Sequence, residues 1–223
     1  MISNHTSGAY APPAPSCAAR SVAVASTAHF SGQIVIPDGE TGRIVLAESH
    51  LEFSWIMSLL ANPHVETIVE QVPFEYLNPF DKAATKYFDF VVSMNDGRKL
   101  ACEVKPTVRL KSGRVIAELR HIARQTEGHF DEVRLLTEKG LDRIALFNAE
   151  MFFGMSEVDR DADVLAAASV DALVGSATLG EMTRALEFGA RGFRAIVRQI
   201  SSRRLRLCRH ERLSHTAVVR KGA

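Results

Sequence analysis

In YFDFVVSMNDGRKLACEVKPTVRL, residues 87–110, two apolar runs flank a turn, and Asp89, Glu103 and Lys105 stand inside those runs. Asn95-Asp96-Gly97 is a hairpin signal, because Asn and Asp tolerate turn conformations and Gly supplies the positive φ that closes a three-residue loop. A loop centred on Asp96 sets Asp89 directly across from Glu103, so both project from one sheet face, and Lys105 follows two positions later. A slip of one residue would undo this pairing. Leu100, Cys102 and Val104 alternate onto the other face as a core row. Two carboxylates placed opposite one another repel unless a proton, a lysine or a cation compensates.

Outward from the hairpin, the elements read in order. GQIVIPDGETGRIVLAES forms short apolar runs around Gly turns, an edge hairpin. Glu48–Leu60 reads as a helix ended by Asn62-Pro63, and Val65–Leu77 as a strand. SGRVIAELRHIARQTEGHF is an amphipathic helix closed near Gly128, EVRLLTE a strand and LDRIALFNAEMFF a further helix. Helix, three strands, helix, strand suits a parallel crossover after the Glu103 strand, hence an α/β core with a mixed central sheet flanked by helices.

Composition fits an ordinary globular protein, with 46% hydrophobic and 24% charged residues in 223. No apolar run approaches the ~18 residues of a membrane span. The three cysteines, Cys17, Cys102 and Cys208, are scattered and form no zinc pattern, which points to reduced thiols and a cytoplasmic protein. Residues 1–30, rich in Ala, Pro and Ser, read as a flexible tail and lack the layout of a secretory signal.

Charge is lopsided. Net charge is +1, yet residues 184–223 hold eleven Lys or Arg against two Glu. The acidic SEVDRDADVLAAASVDALVG precedes this basic stretch as a helix. TLGEMTRALEFGARGFRAIVRQISSRRLRLCRHERLSHTAVVRK has the rhythm of a winged helix-turn-helix: a helix over Leu179–Leu186, a Gly-containing turn, a helix over Arg191–Ser201 and a hairpin. In the second helix Phe193, Ile196, Val197 and Ile200 make an apolar stripe, and Arg191, Arg194 and Arg198 line another face. With Arg203 and Arg204, these arginines are candidates for DNA phosphates or guanine edges. Arg109 and Lys111, just after the Glu103 strand, are candidates for a DNA backbone; a solvated loop is the competing reading.

Carboxylates from neighbouring strands with a lysine beside them can hold a divalent cation and position water for phosphodiester hydrolysis. Taken alone, Glu-x-Lys after a hairpin equally describes a salt-bridged, solvated strand face. The motifs SHLEFSWIMSLLANPHVETIVEQVPF, YFDFVV and EVKP, in this order and spacing, resemble the TnsA family, the endonuclease subunit of heteromeric cut-and-paste transposases. The likeness runs from Gly32 to Phe152 by motif and through the C-terminal part by pattern. It implies a restriction-endonuclease-like core of the PD-(D/E)xK class over residues 31–154 and a winged-helix domain over 155–223. It further implies Glu52 as the helix carboxylate, Asp89 and Glu103 as strand ligands for Mg²⁺ or Mn²⁺, Lys105 as the catalytic lysine, and water as the nucleophile. The expected products are a 5′ phosphate and a 3′ hydroxyl. Double-stranded DNA at transposon ends, a TnsB-like transposase and a TnsC-like ATPase are the partners it implies. Phe88 stands where the class name has Pro, and Glu103 where some family members carry Gln. A stand-alone defence or repair nuclease and a non-catalytic DNA-binding adaptor are the alternatives. Glu52 has a competing role, since Ser49-His50-Leu51-Glu52 fits a helix capping box, and Glu48 is then the substitute carboxylate.

Overall fold

The computed structural model describes residues 11–20 and 30–222 and divides into two compact units. Of the described residues, the first unit comprises those up to Phe53 together with His64–Glu138, and the second comprises Ser54–Pro63 and those from Lys139 onward.

In the first unit, runs of β-branched and aromatic residues build strands β3 (Val65–Leu77), β4 (Ala83–Met94) and β5 (Lys99–Val104). They follow the two-stranded hairpin of β1 (Gly32–Ile36) and β2 (Arg43–Ala47) and precede β6 (Glu132–Leu136). The larger sheet has the order β3-β4-β5-β6, antiparallel except for the parallel β5/β6 pair. The mixed sheet follows from the crossover through helix α2 (Arg114–Ala123), which ends before the expected Gly128. Leu119 and Ile122 of α2 cover Phe74, Phe88 and Ala101, burying side chains worth ~1.5–3 kcal/mol each for the large ones. At the β4/β5 turn Gly97 carries a φ of 88°, and Met94 and Arg98 bracket a three-residue loop. The β4/β5 register is the expected one, with Phe90 opposite Cys102 and Ser93 opposite Lys99.

Alternation in the hairpin buries Ile34, Ile36, Val45 and Ala47. Residues 11–20 lie along this unit and depart from the flexible tail expected over 1–30. Ala14 exchanges backbone hydrogen bonds with Gly42 and Ile44, Ser16 donates to Glu70, and Arg20 reaches Gln71 and Glu48. Their reason for order is polar: Glu70 and Gln71 are fully buried and need partners. The rest of the expected tail, residues 1–10 and 21–29, lies outside the described residues.

Helix α1 (His50–Leu60) begins in the first unit, and from Ser54 its residues group with the second. The second unit continues with α3 (Arg143–Gly154), α4 (Arg160–Ala172), β7 (Ser176–Thr178), α5 (Leu179–Leu186), α6 (Ala190–Ser201), β8 (Leu205–Leu207) and β9 (Val218–Lys221). The three strands pair antiparallel in the order β7-β9-β8. Helix starts are written in the sequence: Asp142 caps α3, Asp159 caps α4, and Thr178 with Glu181 forms a reciprocal capping box on α5. Ile196, Val197 and Ile200 are buried as the apolar stripe requires, with Phe193 packed at the edge of the same core. The second compact unit begins at Lys139, inside the span 31–154 that the resemblance assigns to the nuclease core. Met151 and Phe152 of α3 join the second core, and Asn148 binds the backbone of Glu211 and Leu213.

Candidate active site

Continuing the β4/β5 register by one step sets Asp89 opposite Glu103, but the ladder itself stops at Phe90 and Cys102. A side chain takes over there: Asp89 Oδ2 accepts the Val104 N–H at 2.7 Å. Asp89 and Glu103 are 6% and 3% exposed, so the two carboxylates are withdrawn from water together. Lys105 bridges them, its Nζ 2.9 Å from Glu103 Oε1 and 3.4 Å from Asp89 Oδ2, and it also donates to Val104 O at 3.0 Å. The second oxygen of Glu103, Oε2, is buried and has no hydrogen-bond partner.

Electrostatics follow from this crowding. Burial first, and the Glu103 carboxylate second, push the Asp89 carboxyl above its ordinary range against the pull of Lys105 and the Val104 N–H. Burial alone would lower the Lys105 ammonium; Asp89 and Glu103 outweigh it and hold the group above its ordinary value. Lys105 is therefore a fixed positive charge at neutral pH.

Glu52 sits in the same acidic neighbourhood, its carboxyl raised by burial and then by the Asp89 charge. It also does the capping work its sequence context suggested. Ser49 Oγ accepts the Glu52 N–H and donates to Glu52 Oε1, while Glu52 Oε2 takes the N–H of Glu48 at 2.7 Å rather than that of Ser49. Glu48 is engaged elsewhere, in an ion pair with Arg20 at 2.5 Å.

Three participants escaped the sequence reading. Lys86 Nζ lies 3.0 Å from Glu103 Oε1, the oxygen Lys105 also uses, and 3.8 Å from Glu118. Gln71, fully buried with a φ of 51°, falls opposite Asp89, between the Glu70/Phe90 and Val72/Phe88 pairs, and is left out of the ladder. Arg20 donates to Gln71 Oε1 at 2.6 Å. The signal for Gln71 was present in the polar Glu70-Gln71 break within an apolar strand; nothing local marked Lys86.

Neither known protein families nor curated proteins match the chain.

The arginines expected to meet DNA are disposed unevenly. Arg191 forms a two-point pair with Asp159 at 2.7 and 2.8 Å, Arg198 binds Asp163 and Met155 O, and Arg204 binds Asp171. These three guanidinium groups are neutralised within the unit. Arg194, Arg203, Arg109 and Lys111 are exposed. A feature the sequence reading passed over is that Arg206 stands directly across from Arg220 between β8 and β9, both exposed. Like charges so placed destabilise a strand pair unless an anion joins them.

Among the described residues no group of three or more His, Cys, Asp or Glu is disposed to hold a metal ion. Two carboxylates remain a sufficient protein contribution for Mg²⁺, which is commonly held by one or two carboxylates with water and substrate phosphate. The buried, unpartnered Glu103 Oε2 is the oxygen that fits such an ion.

Proposed function

We propose that the chain is a divalent-metal-dependent DNA endonuclease with a TnsA-like role, cutting one strand at transposon ends beside a TnsB-like transposase and a TnsC-like ATPase. The observation that carries the reading is the unpartnered Glu103 Oε2 next to Asp89 and Lys105. Leaving a buried acceptor unsatisfied costs ~1–3 kcal/mol, a cost that a cation held by this oxygen would remove. In this reading the first unit is a restriction-endonuclease-like core. The second unit, with its order α4-β7-α5-α6-β8-β9, is a winged helix.

Asp89 and Glu103 would hold Mg²⁺ or Mn²⁺, with Glu52 as the acidic neighbour on the helix. Bound there, the cation supplies Lewis-acid polarisation of the phosphate and a water of lowered pKa. Lys105 remains an ammonium, so its part is to orient the nucleophile and neutralise charge developing on the phosphate rather than to accept a proton. Arg109 and Lys111, exposed on the 3-10 turn Thr107–Leu110 and the residue after it, would touch a DNA backbone in this reading. In the second unit the Arg206/Arg220 pair and Arg194 are better DNA contacts than Arg191 and Arg198, which are already paired. Work on DNA beside a transposase implies a cytoplasmic protein.

Calorimetric titration of Mn²⁺ into the full chain, with and without a DNA duplex, tests this. Saturable binding in the wild type that disappears in Asp89→Asn is expected, together with Mn²⁺-dependent nicking of DNA by the wild type alone or with its transposase. Absence of metal binding under both conditions rejects the reading.

A further inference from the structure

The Lys86 ammonium is the less exposed of the two that meet at Glu103, 14% against 34% for Lys105. Both use the same oxygen, Oε1, at 3.0 and 2.9 Å. Lys86 and Lys105 already offset the two strand carboxylates, so a divalent cation entering beside Glu103 meets two ammonium groups at contact distance from that carboxylate. Electrostatics then require one ammonium to retreat, since like charges at contact distance in a partly desolvated site repel strongly. Lys105 is tied three ways, to Glu103, Asp89 and Val104 O. Lys86 has an alternative acid in reach, Glu118 on α2, 3.8 Å away, 41% exposed and so able to take up an ammonium without further desolvation.

Resting on the metal-dependent reading above, we propose that Lys86 is a positioning residue that competes with the divalent cation for Glu103 and passes to Glu118 when the cation binds. The competition gives the site a definite job for each group: Lys86 keeps Glu103 paired and oriented, and Glu118 receives the displaced charge. It also weakens metal affinity, favouring occupation of the site when DNA phosphate supplies the remaining ligands.

The test is Mn²⁺ titration by calorimetry into the full-length wild type, Lys86→Met, Lys86→Gln, Glu118→Gln and Asp89→Asn, with thermal unfolding in EDTA recorded for each. Removing the competing charge tightens Mn²⁺ binding on the order of tenfold in Lys86→Met. Lys86→Gln, which keeps a hydrogen-bond donor and removes only the charge, moves in the same direction and serves if the Met variant does not fold. Glu118→Gln weakens binding, because the displaced ammonium loses its destination. A merely structural Lys86 would lower stability in EDTA without tightening metal binding. Unchanged or weaker binding in both Lys86 variants, with wild-type binding intact and Asp89→Asn silent, overturns the competition and leaves the nuclease reading standing. No Mn²⁺ binding in any protein overturns both.

Discussion

Asp89 offers a sharp separation of stability from function, through the contrast between Asp89→Ala and Asp89→Asn. Alanine removes the acceptor of the Val104 N–H, a 2.7 Å bond at a residue 3% exposed, and so leaves a buried donor unsatisfied at about 1–3 kcal/mol. Asparagine keeps a carbonyl oxygen for that bond and removes the charge. What the charge does is set by opposing influences. Lys105 and the Val104 N–H favour the carboxylate; burial and Glu103 disfavour it and win, so the folded-state pKa lies above the ordinary 3.8. Glu52, raised by burial and then by Asp89, gains as well when that charge goes. Asp89→Asn is therefore expected to be more stable than the wild type at pH 7 in EDTA, and Asp89→Ala less stable than Asp89→Asn by the cost of the lost hydrogen bond.

The sign of the pH dependence follows. The unfolded chain releases this proton near 3.8 and the folded chain at a higher pH, so between the two the folded state binds more protons and stability falls as pH rises. The penalty is complete above the folded pKa and absent below 3.8. The advantage of Asp89→Asn over the wild type should therefore be full above the folded pKa and shrink as pH is lowered through it toward 3.8. Urea unfolding followed by far-UV circular dichroism in EDTA across this range measures it. An Asn variant less stable than the wild type at pH 7, or an advantage that persists in acid, would refute the claim that burial and Glu103 outweigh Lys105 at this carboxyl.

Two further substitutions or reactions test the surrounding frame. Arg43→Met leaves the fully buried Glu70 without its 3.0 Å ion-pair partner and should cost about 3–5 kcal/mol in urea unfolding, since an uncompensated charge remains inside. Cys17 and Cys208 are exposed and Cys102 is buried, its thiol pushed up to about 12 by burial, so a colourimetric thiol reagent should titrate two thiols in the native protein and the third only after denaturation.

The β4/β5 hairpin was legible because its determinants are local. Asn95-Asp96-Gly97 sets the loop, the loop sets the register, and the register carries Asp89 to Glu103. Lys86 was invisible for the same reason. Three residues from Asp89, an unbroken strand would point it to the opposite face. The alternation is interrupted instead. Phe88 lies under α2 with Ala101, whereas Phe90, two residues on, stands opposite Cys102, whose side chain faces away from that of Ala101. The break coincides with Gln71, in a left-handed conformation across from Asp89. Its partners, Arg20 and the stretch around Ala19, come from a segment 51 residues away that composition marked as a tail.

The arginines of α6 show the complementary limit of helical periodicity. Spacing correctly gathered Arg191, Arg194 and Arg198 away from the apolar stripe, but periodicity describes one helix and is silent about its neighbour. That neighbour is the acidic start of α4, where Asp159 and Asp163 take Arg191 and Arg198. The charge asymmetry read along the chain is thus partly cancelled in space, one acidic segment having been placed against the basic one that follows it. Segment charge argues for a polyanion partner only after such internal pairs are removed. What survives that subtraction, including Arg194, Arg203 and the facing Arg206 and Arg220, is smaller than the sequence suggested and extends beyond α6 onto the β8/β9 strands.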